Sequence, residues 1–277
     1  IDLAAYALMS NHYHLVVRLA PERAAGWSDT EVIDRWTRVF SGPEVVQRYR
    51  QGGEFSPAEQ AAVASLVDVW RQRLGDLSWY MRCLNESIAR QANAEDGCTG
   101  RFWEGRFKTQ ALLDEQALLT AMAYVDLNPV RAGLAASLEA SDYTSVQARL
   151  MEITRGRRPQ SLTATGPALL PFVARERADA PDHLPFNLQD YLDLVDRTGR
   201  CIRADKRSFI GDRVPKLLDV LGLDPGEWLP TVTQLQARFE LVIGAPQRLR
   251  RLAQTTGRRW FRGRAAALRL YRTAGSA

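Results

Sequence analysis

The sequence predicts an α+β fold, because two segments have the pattern of β-strands and several others have the pattern of helices. Residues 6–19, YALMSNHYHLVVRL, alternate with a period of two, as the side chains of a strand do. The segment GRFWEGRFKTQALL, residues 100–113, is rich in aromatic side chains around Gly105 and predicts a strand or a bent hairpin. One face of the first strand carries Tyr6, Leu8, Ser10, His12, His14, Val16 and Arg18.

Four helices are predicted from the residues that cap their first turns. Ser28 begins SDTEVIDRWTRVF and Ser56 begins SPAEQAAVASLVDVWRQRLG, and each has a glutamate three residues later, the spacing of a capping box. Asp76 begins LSWYMRCLNESIARQAN. Asp114 begins EQALLTAMAYVDLN, and we expect Pro129 to end that helix.

The chain divides in composition near residue 150. We predict one domain over residues 1–150, with a helical insertion at about 20–76, and a linker rich in proline, arginine and alanine over 151–186. A mainly helical region follows over 187–277, with the amphipathic pieces LQDYLDLVDRTG and EWLPTVTQLQARFELVIG. Because strand-like sequence starts almost at residue 1, which is not Met, we also expect that an N-terminal segment is missing.

Composition and charge limit the class of protein. No apolar run has the length of a membrane helix, and we expect no signal peptide. The three cysteines form no CxxC pair, which suits a reducing cytosol better than a disulfide framework or a zinc site. From Leu241 to the end there are nine arginines and no acidic residue, whereas the whole chain has a net charge of +5. This basic tail indicates either a polyanionic partner, most simply nucleic acid, or a solvated charged helix.

Two of the three histidines, His12 and His14, are one residue apart. On a strand both imidazoles would point the same way, about 6–7 Å apart, and could share one divalent metal ion. They could equally be packed and hydrogen-bonded. A metallo-hydrolase of the HxHxDH type is excluded, because Leu15 to Arg18 stand where its acid and third histidine belong. A zincin is excluded because there is no HExxH motif.

The segment AMAYVDLNPVRAG offers a second set of reactive groups. Tyr124 and Asn128 are four residues apart and would share a helix face. Tyrosine can attack phosphorus as a nucleophile, and an asparagine carbonyl can complete a metal site. The alternative is a tyrosine packed in the core and an asparagine that caps the helix before proline.

Three motifs in this order, LMSNHYHLVV, RFWEGRFK and YVDLNPVRAGL, resemble the REP-associated tyrosine transposases, part of the HUH single-tyrosine, insertion-sequence-type transposase superfamily. That family has two histidines around a hydrophobic residue, then an aromatic and basic strand, then a tyrosine before NPVRAG. Here Tyr13 fills the hydrophobic position and Ser10 replaces the usual proline. The match spans residues 6–19 and about 77–147, and residues after 150 have no part in it.

The resemblance implies a transposase-type endonuclease and strand transferase that acts on single-stranded or hairpin DNA. His12 and His14 would hold Mg²⁺ or Mn²⁺, with Asn128 as third ligand, and Tyr124 would form a 5′-phosphotyrosine intermediate. It also implies a ferredoxin-like antiparallel sheet with packed helices, whose first strand and helix would precede this chain. Relatives act as monomers or exchange the tyrosine helix in a homodimer, and the expected location is the bacterial cytoplasm, at the nucleoid.

Several basic and aromatic residues are candidates for DNA binding. In the segment 101–108 they alternate, a composition suited to holding phosphates and stacking unpaired bases, or to a core strand with a charged outer face. Arg131 could contact a phosphate or cap the preceding carbonyls. The candidates are Arg101, Trp103, Arg106, Lys108, Arg131, Arg258, Arg259 and Arg262.

Two other functions stay open at this point. A domesticated or truncated relative could bind hairpin DNA without cutting it. An unrelated metal-dependent hydrolase could use His12 and His14 alone, and it would not need Tyr124.

Overall fold

A computed structural model of the chain describes residues 1–154, 168–173, 182–204 and 215–272. Its contacts divide the chain into two compact units. The first consists of Ile1 and residues 18–108, and the second consists of residues 2–17 and 109–277. The chain therefore leaves the second unit after Val17 and returns to it at Thr109. The predicted range 1–150 contributes to both units, and the predicted range 187–277 belongs to the second; most of the predicted linker lies outside the described residues.

The fold is mixed α/β and mostly helical. Among the described residues the strands are β1 (Asp2–Leu8), β2 (Tyr13–Arg18), β3 (Ala111–Leu112) and β4 (Val242–Ile243). The first unit contains the helices α1 (Pro21–Gly26), α2 (Asp29–Thr37), α3 (Glu44–Arg50), α4 (Pro57–Gly75) and α5 (Leu77–Glu95). The second unit contains α6 (Glu115–Asp126), α7 (Asn128–Arg131), α8 (Ser145–Thr154), α9 (Leu188–Arg203), α10 (Lys216–Val220), α11 (Pro225–Thr233), α12 (Leu235–Arg238), α13 (Pro246–Thr255) and α14 (Arg264–Leu270).

The single strand predicted over residues 6–19 is wrong. The chain reverses at residues 9–12, where the backbone N–H of Met9 donates to the carbonyl of His12 over 2.9 Å, so that β1 and β2 form a two-stranded antiparallel hairpin. Tyr6 and Leu8 lie on β1, whereas His14 lies on β2. The turn contains neither glycine nor proline, so the usual sequence signal of a chain reversal is missing.

The helix starts in the first unit agree with the prediction. Ser28 and Ser56 each accept a hydrogen bond from the backbone N–H of the glutamate three residues later, whose side chain binds back, forming capping boxes. Asp76 caps α5. The core of this unit is a small apolar cluster in which the rings of Trp36 and Trp70 stack 5.0 Å apart.

The strand predicted over residues 100–113 is also wrong, apart from β3. Residues 101–110 form no strand, because the guanidinium of Arg101 donates to the carbonyls of Trp103 (2.8 Å) and Glu104 (2.6 Å) and closes a turn. The indole N–H of Trp103 donates to the carbonyl of Asn85 over 2.9 Å. Only the two residues of β3 are extended and paired, in parallel, with β4.

Helix α6 is the centre of the second unit. Asp114 caps it as predicted, and nine of its twelve residues are buried. It packs against β1, β3 and α11, so the C-terminal helices belong to the same apolar core as the hairpin. Pro129 does not end α6, which stops at Asp126; it stands in the first turn of α7, where a missing N–H costs no helical hydrogen bond.

Of the two amphipathic C-terminal pieces, one is a helix and the other is divided. LQDYLDLVDRTG forms the first part of α9. EWLPTVTQLQARFELVIG is split among α11, α12 and β4, because Gln234 and Phe239 leave the helical region of backbone conformation. Asp224 is the N-cap of α11, with its carboxylate 2.9 Å from the N–H of Glu227.

The described residues contain no ferredoxin-like sheet: the β1–β2 hairpin and the β3–β4 pair are separate two-stranded sheets. No helix in the described ranges combines the length and the apolar composition that crossing a membrane requires.

Candidate active site

The hairpin brings the two histidines side by side. His12 is the last residue of the turn and His14 is the second residue of β2, so the two side chains leave the backbone on one side. Their ring centroids are 5.1 Å apart, with the rings nearly perpendicular. His12 is exposed and His14 is partly buried.

Tyr124 and Asn128 reach the histidines from α6 and the start of α7. The ring of Tyr124 meets the ring of His14 edge-on, with 5.4 Å between centroids. The amide nitrogen Nδ2 of Asn128 lies 3.3 Å from Nε2 of His12. Tyr124 is 6% exposed and Asn128 is 3% exposed, so both approach the histidines from the core side. The four candidate catalytic and metal-binding residues are thus in one place, although 116 residues separate His12 from Asn128.

The hydrogen bonds of His12 indicate which of its two ring nitrogens carries the proton. Its Nδ1 lies 2.6 Å from Oδ1 of Asn11, a group that only accepts, so Nδ1 carries the proton. Nε2 then accepts from the amide of Asn128. The lone pair of Nε2 therefore faces the other site residues.

Arg131 is a member of this site. Its guanidinium lies over the ring of Tyr124, 4.3 Å from the centroid, an arrangement that stabilises a cation on an aromatic face. It donates to Oδ1 of Asn128 and to the carbonyl of Thr233, the latter over 3.1 Å. Its Nε is buried without a hydrogen-bond partner. Arg131 thereby holds Tyr124 and Asn128 in register from one side.

The environment keeps His14 neutral. Burial, followed by the electrostatic effects of His12 and Arg131, lowers the pKa of His14 to about 4. At neutral pH its imidazole therefore has a lone pair available for a metal or a proton. A neutral histidine is the form that binds metal ions.

The donor set fits a divalent cation bound by two imidazoles and one amide oxygen. A carbonyl oxygen is a usual ligand of Mg²⁺ and Mn²⁺, and imidazoles are usual ligands of Zn²⁺, Cu²⁺, Fe²⁺ and Ni²⁺. No group of three or more His, Cys, Asp or Glu side chains with metal-binding geometry exists in the described ranges, so no carboxylate would take part. Asn128 Oδ1 accepts from Arg131, and Nδ2 of the same amide faces His12, so the amide has to turn before Oδ1 can face an ion held by the histidines.

A buried polar network lies behind the tyrosine, and the sequence reasoning missed it. Asp126 is fully buried at the end of α6 and accepts three hydrogen bonds, from the hydroxyl of Ser145, the N–H of Val146 (3.0 Å) and the hydroxyl of Tyr191 (2.5 Å). Burial raises the pKa of Asp126, and these hydrogen bonds oppose the rise. The signal in the sequence is a lone acid among the apolar residues of AYVDLN.

The network also ties the hairpin to the same point. The hydroxyl of Ser145 accepts from the backbone N–H of Tyr6 over 3.0 Å. The buried guanidinium of Arg149 donates to the carbonyls of Ala4 (2.7 Å) and Leu170 (3.2 Å). The end of α6, the start of α8 and β1 are therefore fixed together next to Tyr124.

The other candidate DNA-binding residues are distributed over both units. Arg101, Trp103, Arg106 and Lys108 belong to the first unit, where Arg106 and Lys108 are exposed and Trp103 is partly buried. Arg258, Arg259 and Arg262 are exposed in the turn between α13 and α14.

Comparison of this chain with protein-family models, with curated proteins and with solved structures finds no match.

Proposed function

We propose that this protein is a metal-dependent endonuclease and strand transferase of the transposase type, which cuts single-stranded or hairpin DNA through a covalent link to Tyr124. The observation that carries the proposal is the meeting of Tyr124 with His14, at 5.4 Å between ring centroids, beside His12 and Asn128. The resemblance of the HYH, RFWEGRFK and YVDLNPVRAG motifs to the HUH transposases supports it. With it goes the expectation that the hairpin and α6 are part of a ferredoxin-like core.

The reaction assigns a task to each residue. The phenolic oxygen of Tyr124 forms a bond to phosphorus, and the bond from phosphorus to the 3′ oxygen breaks. The phenol proton goes to solvent and the leaving 3′ oxygen takes up a proton, which gives a 3′-hydroxyl and a 5′-phosphotyrosine. Reversal by a second 3′-hydroxyl joins strands without ATP. Arg131, whose guanidinium already lies over the ring, stabilises the negative charge of the approaching phosphate.

His12, His14 and Asn128 are the residues that would hold Mg²⁺ or Mn²⁺. A divalent ion there supplies Lewis-acid polarisation of the phosphate and its orientation toward the nucleophile. The low pKa of His14, caused by burial and by the electrostatic effects of His12 and Arg131, supports a neutral ligand nitrogen at physiological pH. The proposal places the protein with bacterial DNA in the cytoplasm, as a monomer or a homodimer.

A denaturing gel tests the proposal directly. The whole chain is mixed with Mn²⁺ and labelled hairpin DNA taken from the flanks of its gene, and a protein–DNA adduct that survives denaturation is sought. We expect an adduct with the wild type and none with Tyr124→Phe, His12→Ala or a chelator. Tyr143→Phe is the matched control, because Tyr143 is 71% exposed in the same unit, and it should give the wild-type yield.

A second function is favoured by the present arrangement of the site. Tyr124 is nearly buried, and Asn128 Oδ1 is bound by Arg131, as would be expected of a protein that binds hairpin DNA and no longer cuts it. Tight binding of the same DNA without any adduct, in Mn²⁺ and in Mg²⁺, would favour this non-catalytic binder.

A further inference from the structure

Helix α13 presents a polar face that points away from the core. Its buried residues are Leu249 and Ala253. At 100° per residue, the side chains at positions i, i+3, i+4 and i+7 counted from residue 247 share an arc of about 100°, whose centre lies about 130° from the midpoint of the two buried side chains. These are the exposed residues Gln247, Arg250, Arg251 and Gln254. The face therefore consists of two arginines and two glutamines only.

The arginines of this face differ from others in the C-terminal segment. Arg248 lies 3.9 Å from the carboxylate of Asp114, and Arg269 and Arg272 pair with Glu227 and Asp219 at 3.4 and 3.5 Å. Neither Arg250 nor Arg251 has a carboxylate within ion-pair distance among the described residues. The chain has no acidic residue after Glu240, so no residue that follows Glu240 in the chain offers them a carboxylate.

The turn that follows α13 is held in place by packing and by a hydrogen bond. The turn that follows α13 ends at Gly263, whose φ is +108° and whose absent Cβ would lie 2.3 Å from the ring of Phe239. Phe261, in the same turn, is buried, and Arg262 donates to the carbonyl of Ala237 over 3.0 Å. A face held in this way keeps its shape when a partner binds, which lowers the entropic cost of binding.

We propose that α13 enters the major groove of double-stranded DNA and contacts base edges with Gln247, Arg250, Arg251 and Gln254. Arginine to guanine and glutamine to adenine are the side-chain pairings that read bases in that groove. Residues 247 and 254 are about 10 Å apart along the helix axis, the length of about three base pairs. Arg258 and Arg259, exposed just beyond the helix, are placed to contact the phosphates beside the groove.

Other polyanions fit this face less well. An interfacial membrane helix needs an apolar face to insert, and the apolar side of α13 is occupied by the core. The major groove of double-stranded RNA is too deep and narrow for a helix. The exposed ring of Trp260 could stack on an unpaired base, but no aromatic residue lies on α13 itself.

This inference rests on the proposed function in one respect: a hairpin substrate has a duplex stem next to the strand that is cleaved, and α13 would bind such a duplex. The binding face and the candidate active site share no residue. Tyr124→Phe protein in a chelator therefore tests α13 in the absence of any cleavage, and failure of one proposal leaves the other standing.

The experiment is selection of binders from a pool of duplex DNA with a randomised centre, followed by affinity measurement at several salt concentrations. In the Tyr124→Phe background we expect enrichment of a short motif and preference for duplex over single-stranded DNA of the same sequence. Arg250→Ala with Arg251→Ala should weaken binding about tenfold or more. Gln247→Ala with Gln254→Ala should change the enriched motif and leave the salt dependence nearly unchanged.

The matched control removes two arginines from another helix of the same unit. Arg197→Gln with Arg200→Gln, on α9, should change duplex affinity less than twofold, and circular dichroism verifies that all variants are folded. The proposal is overturned if the α13 double variant binds like the control. It is equally overturned if the pool yields no motif, or if double-stranded RNA or anionic vesicles bind as tightly as duplex DNA.

Discussion

We predict that the hydrogen bond between Tyr191 and Asp126 contributes measurably to the free energy of unfolding. Its two oxygens are 2.5 Å apart in a site without solvent access, and hydrogen bonds to a buried charged group contribute about 1.5–3 kcal/mol. Tyr191→Phe removes this hydroxyl and little else, so we expect a loss of about 2 kcal/mol. Asp126→Ala leaves three donors unpaired and should cost more, about 3–5 kcal/mol.

The two substitutions together separate the hydrogen bond from the packing. In the Asp126→Ala background Tyr191→Phe should cost almost nothing, because the hydroxyl has already lost its acceptor. Local stability is measured by amide hydrogen exchange of peptides from α6 and α9 in increasing urea. Tyr143→Phe, at an exposed tyrosine, should stay within about 0.5 kcal/mol of wild type. Equal costs of Tyr191→Phe with and without the Asp126 carboxylate would refute this reasoning.

Three further predictions concern other parts of the chain. Gly263→Ala should lower the free energy of unfolding by at least about 2 kcal/mol in thermal denaturation, because φ is positive there and a Cβ would clash with Phe239. Gly257→Ala, at φ +67° in open space, should lower it by only about 1 kcal/mol. Equal losses would mean that the clash with Phe239 does not contribute. Ser56→Ala should lower the stability of the first unit by about 1 kcal/mol in urea followed by tryptophan fluorescence, and no change would mean that the capping box is not formed in solution. Burial lowers the pKa of His14 from 6.5 to about 4, so below pH 6.5 the unfolded chain takes up a proton that the folded chain does not. The free energy of unfolding of the metal-free protein should therefore be unaffected by His14 above pH 6.5 and fall as the pH drops toward 4, by about 2 kcal/mol at pH 5. His14→Gln should abolish that part of the pH dependence.

Helix starts were the most predictable part of the fold. The cap of a helix is made by residues within three positions of each other, so Ser28, Ser56, Asp76 and Asp114 could be assigned without knowing any distant contact. Helix ends were less predictable. Pro129 suits either the end of one helix or the first turn of the next, and the structure has the second.

Strands were predicted poorly because a period of two carries no information on direction. The turn at Ser10 and Asn11 contains neither glycine nor proline, and its signal is only the interruption of the alternation by three consecutive polar residues, Ser10 to His12. In the segment 101–110, the guanidinium of Arg101 binds backbone carbonyls that a strand would need for pairing.

The residues of the candidate site were predicted from its motifs, but the buried hydrogen-bond network and the arginine that hold them in place were not. Tyr124 and Asn128 stand at helical spacing in the chain, and the spacing of His12 and His14 is equally local. The partners of Asp126 are 19 to 65 residues away, at Ser145 and Tyr191, and no local pattern marks them. The role of Arg131 over the tyrosine ring likewise depends on the packing of α7.

The path of the chain through its two units sets an order of events during synthesis. The hairpin is made before residues 18–108 and before α6, but a two-stranded hairpin alone is marginal in water. At typical translation rates its partner α6 follows on the order of ten seconds later, after residues 18–108 have been added. The first unit therefore has its whole sequence available before the histidines can meet the tyrosine. A ribosome stalled in that interval would carry the whole sequence of the first unit and an unfinished site.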